Sequence, residues 1–220
     1  MPQCAARWAI SPFSLPTSQQ RSPSPNERAH TCAGAIAARG SPCERLSFED
    51  DFERSAIRAA AGDVGGLDVL DVGPHGDEHF VWLAEHGARV VTVEIGDYEQ
   101  PEPIPQQKES IDLVFSSLRL HYVREWEPLF REFRRVTRPG GALVFSTHHP
   151  CQGLHDGLGV DYFSTGLIED GAAQPERYWR RPLQAIVSAI VDTGWRIERI
   201  AEPRIAEAVD PWLLVVRATR

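Results

Sequence analysis

The chain has 220 residues, 42% hydrophobic and 25% charged, which suits one α/β domain with a sizeable core and is too short for two. No apolar run reaches the ~18 residues of a transmembrane helix, so a membrane protein is not expected. The formal net charge of −8 offers little to a phosphate backbone, so nucleic-acid binding is not expected either.

The charge is uneven. Residues 1–47 hold five Arg against two Glu, whereas residues 48–220 are strongly acidic, and Lys108 is the only lysine of the chain. Residues 1–47 therefore read as a disordered extension and 48–220 as the folded domain. Residues 1–26 lack acids, as transit peptides do, but Pro12, Pro16, Pro23 and Pro25 break any amphipathic helix there. Cys4, Cys32, Cys43 and Cys151 show no C-x-x-C spacing, so a reducing cytoplasm is expected.

From Ser47 the pattern becomes regular. Ser47 is an N-cap candidate, with Asp50 three residues on and apolar Phe48, Phe52, Ile57 and Ala60 following, and Gly62 with Gly65-Gly66 ends the helix. Residues 67–72 read as a buried strand, Gly73 opens a turn, and a helix through His79, Phe80, Trp82 and Leu83 stops at Gly87. Residues 89–95 form a second β-branched strand, completing a βαβ unit. Residues 96–110 carry Pro101, Pro103 and Pro105 and must be loop. A third strand spans 111–116, and a helix near 126–136 has Leu129, Phe130, Phe133 and Val136 on one face. Pro139-Gly140-Gly141 reads as a turn before a strand at 142–146. After a long loop at 148–180 come a helix with Leu183, Ile186, Val187 and Ile190, then strands at 195–200 and 212–216. No crossover helix separates those two strands, so they pair antiparallel.

Several of these segments resemble the class I S-adenosylmethionine (SAM) dependent methyltransferases, in the type 11 group that includes ubiquinone and menaquinone biosynthesis enzymes. The resemblance lies in Val69-Leu70-Asp71-Val72-Gly73, in residues 82–91 and 111–118, and most specifically in Glu132-Phe133-Arg134-Arg135-Val136-Thr137-Arg138-Pro139-Gly140-Gly141. With Tyr178-Trp179-Arg180-Arg181-Pro182 it covers roughly 50–220. It implies a three-layer α/β sandwich around a Rossmann-like, mostly parallel sheet with an antiparallel C-terminal strand. It also implies SAM as cofactor, bound at the C-terminal ends of the strands, and a small-molecule acceptor. Asp71, Gly73 and Gly76 would form the turn around the methionine end. Glu94 lies 21 residues after Gly73, where a ribose-binding acid is expected, or else it faces solvent. Asp97 would take the adenine amino group or cap its own turn. Ser117 lies at the end of the third strand.

Two departures stand out. Similar enzymes carry Gly-x-Gly-x-Gly, but Gly73-Pro74-His75-Gly76-Asp77 puts His75 and Asp77 at the second and third glycine positions. His75 adds bulk, and Asp77 adds negative charge beside the expected methionine carboxylate, though an acid suits a helix start. In addition, the helix and strand that follow strand two in the resembled fold are absent, since 15 residues cannot supply a unit of ~30. A sheet truncated at one edge follows, with weaker SAM affinity and an exposed strand-two edge at Val91 and Val93 through which a homodimer could form.

Methyl transfer needs alignment and at times a proton acceptor. The candidates lie at the strand ends: Ser117, His121 and Tyr122 after the third strand, with Tyr162, Tyr178 and Arg181 as possible acceptor-site residues on the long loop, and His148 and His149 after the next strand. Either histidine would act as general base or hydrogen-bond backbone instead. His148, His149, Cys151 and His155 fit no common zinc spacing, so no metal is expected. Without the last glycine of Gly-x-Gly-x-x-Gly, a dinucleotide-dependent dehydrogenase is disfavoured. The competing reading is a catalytically inactive methyltransferase-like protein that binds a partner.

Overall fold

The computed structural model describes residues 42–74, 76–95, 103–152, 154, 161–169, 177–204 and 211–220, with side chains from Phe52 onward. The chain divides at Asp50/Asp51 into two compact units, and the second carries the sheet. Helix α1 spans Pro42–Ala61. It starts earlier than expected, so Ser47 lies inside the helix and does not cap it; Pro42 suits a first helical position, where the missing N–H is no loss. Most of the stretch read as a disordered extension, residues 1–41, lies outside the described residues.

Six strands form the main sheet in the order β2-β1-β3-β4-β8-β7. β1 (Asp68–Val72), β2 (Arg89–Val93), β3 (Ile111–Ser116) and β4 (Thr137–His148) are parallel. β8 (Leu213–Thr219) runs antiparallel to β4 and to the edge strand β7 (Arg196–Ala201). The reversed ending is as expected, and among the described residues β2 is the edge strand, as the truncated sheet implied. The edge is less apolar than expected: Val91 is exposed, but Val93, two residues on along the same face of the strand, is 4% exposed and belongs to the core.

α1 and α2 (Glu78–Glu85) cover one face, where Ile57, Ala61 and Leu83 pack on Val69, Leu113, Phe115, Val144 and Val215. α3 (Trp126–Val136) covers the other, with Phe130 against Phe145 at 5.8 Å between ring centroids. It packs on α4 (Leu183–Asp192), and the Trp195 indole donates to the Phe130 carbonyl at 3.1 Å. The expected apolar stripe of α3 is fully buried; burying each such Leu or Phe contributes about 2 kcal/mol.

Two expectations are corrected. Pro139-Gly140-Gly141 is not a turn ahead of β4 but a bulge inside it: Ile111 pairs with Thr137 and Leu113 with Ala142. Gly140 has φ +80°, and a Cβ on Gly141 would sit 2.8 Å from the Asp112 carbonyl, so the bulge needs both glycines. The loop read at 148–180 also contains a hairpin, β5 (Gly166–Glu169) with β6 (Arg177–Arg180), and a short 3₁₀ helix at Leu120–Tyr122 faces β6. Among the described residues, no helix is long and apolar enough to cross a membrane.

Candidate functional site

Parallel strands bring their C-terminal ends to one edge of the domain. Val72 pairs with Val93, so Gly73 and Glu94 leave adjacent strands side by side, and the Gly73 N–H donates to the Val93 carbonyl at 3.1 Å. The turn then passes Gly76, whose φ of +82° calls for glycine. Asp77 follows as the N-cap of α2: its Oδ1 accepts from the N–H groups of His79 (3.0 Å) and Phe80 (2.8 Å). Its sequence-level merit as a helix-start residue is therefore realised. His75 and Asp97 lie outside the described residues.

Asp71 is 2% exposed, and its Oδ2 has no hydrogen-bond partner. Burial pushes its carboxyl up to about 8, Asp77 adds to the rise, and Arg119 opposes it. An orphaned acid beside an open glycine turn fits an ammonium group, and Glu94, exposed just past β2, is free to accept from ligand hydroxyls. The residues present thus suit the amino-acid end and the ribose of SAM.

Ser117 is engaged otherwise. Its hydroxyl donates to Glu53 at 2.8 Å, Ser146 donates to the same oxygen at 2.5 Å, and His79 Nε2 lies 3.3 Å from the other. Burial raises the Glu53 carboxyl, but the His79, Ser146 and Ser117 hydrogen bonds outweigh it and hold it below the usual range. Glu53 was not singled out from sequence. Its spacing of four before Ile57 and eight before Ala61 places it on the buried face of α1, and an acid there was the available signal.

On the β3 and β4 side, His121 stacks on His148 with centroids 4.1 Å apart and planes 13° apart, and the Tyr178 ring stands edge-on to both. Tyr122 lies 4.1 Å from the His121 ring. His121, His148, Tyr178 and Thr147 border a cavity of about 20 Å³, room for one water. His121 is 3% exposed, neither ring nitrogen has a partner, and burial, then His148, Arg119 and Arg181, push its pKa down to about 2. It is neutral at physiological pH.

The structure separates the two expected bases. His149 accepts from the Cys151 N–H at Nδ1 (3.0 Å) and meets Glu202 at Nε2 (2.9 Å), so both nitrogens are engaged in holding the loop. Both histidines border the cavity, but His148 does so as the ring stacked on His121. Two other candidates act as braces: the Tyr162 hydroxyl accepts from the Leu183 N–H at the start of α4, and Arg181 donates to the Val123 and Arg124 carbonyls while covering the Trp126 ring at 4.6 Å. Among the described residues no group of three His, Cys, Asp or Glu side chains is placed to hold a metal ion.

Comparison with known proteins adds the family. The type 11 methyltransferase domain matches residues 70–145, from β1 through most of β4. A malonyl-[acyl-carrier protein] O-methyltransferase of Yersinia pestis is 33% identical over 113 residues, 43% of this chain and 40% of that protein. The chain thus spans about two fifths of that curated relative. An S-adenosylmethionine-dependent methyltransferase from Mesorhizobium loti is 26% identical with a TM-score of 0.67, over 79% of this chain and all of that one. The Burkholderia thailandensis 1,6-didemethyltoxoflavin-N1-methyltransferase, solved with its substrate and S-adenosylhomocysteine, shares the fold alone at 15% identity, with a TM-score of 0.54 over 84% and 93% of the two chains. With the strand order of the sheet, these matches show a type 11 methyltransferase domain at residues 70–145 and support a class I SAM-dependent methyltransferase, with SAM as cofactor.

Proposed function

We propose that the protein transfers the methyl group of SAM to a small-molecule acceptor. The observation that carries this reading is Asp71, a buried carboxyl kept without a hydrogen-bond partner on one oxygen at the C-terminal end of β1, next to the glycine turn. Such a group costs the fold stability unless a ligand completes it. The bound cofactor supplies a methyl group already activated on sulfonium. Asp71 and the turn from Gly73 to Gly76 hold its amino-acid end, Glu94 accepts from the ribose hydroxyls, and Asp97 is assigned the adenine amino group. Ser117, with its hydroxyl committed to Glu53, serves through its backbone. His148 takes the acceptor's proton at a ring nitrogen, Tyr122 lines the acceptor's approach, and His149 steadies the loop carrying His148.

Cytoplasmic placement and the absence of nucleic-acid partners are part of the same proposal. So is the class of acceptor: the malonyl-carrier relative names a narrower one, but it matches over two fifths of its length. The inactive, partner-binding reading is favoured by the β2 edge, where Val91 is 37% exposed and no strand pairs outside β2 among the described residues. A homodimer through that edge is its simplest form. Calorimetric titration with SAM and S-adenosylhomocysteine, followed by an acceptor screen with labelled SAM, separates the two. Cofactor binding with methyl transfer supports the enzyme; a dimer on size-exclusion chromatography that binds neither ligand supports the other reading.

A further inference from the structure

The cofactor turn is bordered by two opposite charges. A Cβ built on Gly73 would lie 3.4 Å from Asp77 Oδ2 and 4.0 Å from Arg119 Nε, so both side chains meet at one point above the turn. Asp77 uses Oδ1 to cap α2, leaving Oδ2 toward Gly73. Arg119 comes from the segment after β3; its carbonyl accepts from the Tyr122 N–H at 3.1 Å, while its guanidinium makes no hydrogen bond or ion pair among the described residues. Its field nonetheless reaches Asp71 and His121.

An unpaired guanidinium is a receptor for a carboxylate, which its planar fork can grip through two N–H groups. Asp71, on the other side of Gly73 in the chain, is an orphaned acid and a receptor for an ammonium. Together they match the zwitterion of an α-amino acid. Asp77 alone would repel the carboxylate half of that zwitterion, and a cation placed at the same point offsets it.

We propose that Arg119 binds the carboxylate of the cofactor's methionine moiety, and that this lets the turn tolerate Asp77 where related turns carry glycine. The assignment rests on the cofactor site described above. It makes Arg119 a determinant of selectivity for ligands that keep the carboxylate.

The test is calorimetric titration of the full chain with SAM, with S-adenosylhomocysteine and with decarboxylated SAM, which keeps the sulfonium and amine but lacks the carboxylate. The unaltered chain is expected to bind SAM at least tenfold more tightly than decarboxylated SAM. Arg119→Gln should lose tenfold or more for SAM and S-adenosylhomocysteine and less than threefold for decarboxylated SAM. Arg119→Lys should keep part of the preference, as a point charge without the fork. Asp77→Asn, which retains a capping oxygen, should bind SAM more tightly than the unaltered chain. Equal losses for SAM and decarboxylated SAM in Arg119→Gln would overturn the role of Arg119 and leave the cofactor site standing. If Arg119→Gln fails to fold, the unaltered chain decides: a ratio near one between the two ligands overturns the role. Absence of binding to all three ligands would overturn the cofactor site and this assignment together.

Discussion

Asp68 and Asp71 stand three residues apart on β1 and titrate at opposite extremes. At the N-terminal end of the sheet, Asp68 is held at about 2, first by its hydrogen bond from Arg89 and then by that from Arg138, which also donates to Asp112 at 2.5 Å. At the C-terminal end, burial pushes Asp71 up to about 8. One end of the sheet pairs its charges in partial solvent; the other leaves Asp71 Oδ2, His79 Nδ1 and both His121 nitrogens without partners. A domain that ties up polar groups at one end and leaves them open at the other has its unsatisfied groups where the parallel strands converge, which is where the proposed cofactor site lies.

The largest way to break this contrast is to remove Glu53, a carboxylate with both oxygens engaged at the C-terminal end of the strands. Glu53→Ala leaves Ser117, Ser146 and His79 facing a void, and thermal or urea unfolding should show a loss of about 3 kcal/mol. Because its folded pKa is lowered, the stability Glu53 provides is present above the ordinary glutamate range and lost as pH falls below it.

Asp71→Asn acts in the opposite sense on stability. With a folded pKa of about 8 against an ordinary 3.8, Asp71 costs nothing below pH 4, an increasing amount from there to about 8, and a constant amount above. The variant should therefore melt higher than the unaltered chain, by a margin that grows with pH up to about 8, while SAM affinity falls about tenfold or more in calorimetry. A variant that melted lower at pH 9 would show that Asp71 is not held as an unpaired acid.

SAM affinity in the unaltered chain should peak near pH 8. Below that, binding must ionise Asp71 and releases a proton; above it, the ligand's α-amino group must regain one. Titrations in buffers of different ionisation enthalpy read the proton directly.

The smallest effect belongs to the paired end. Arg89→Ala removes an exposed partner of Asp68, and the melting temperature should drop slightly, less in high salt, with SAM affinity unchanged. A change in SAM affinity would mean that the two ends are coupled.

Much of the fold was legible because periodicity and punctuation are local. Trp126, Leu129, Phe130, Phe133 and Val136 fall on one helical face, and the α3 bounds match. Ile111–Ser116 is an apolar run between turn signals, and β3 matches too. The β5–β6 hairpin was missed because Gly166–Glu169 and Arg177–Arg180 are four residues each and carry no alternation. The Arg-Pro-Gly-Gly bulge looked like a turn because a positive φ at Gly140 serves either purpose.

For the proposed cofactor site, the order and spacing of Asp71, Gly73, Gly76 and Glu94 could be read from the chain alone, as a strand, a glycine turn and a second strand. Their condition could not. The hydroxyls that hold Glu53 come from residues 64 and 93 positions away, and Arg119 reaches Gly73 only because β3 lies beside β1. Local pattern sets which backbone a segment adopts. Which charge is left unpaired depends on what packing brings to it from far along the chain, and the tertiary structure alone decided that.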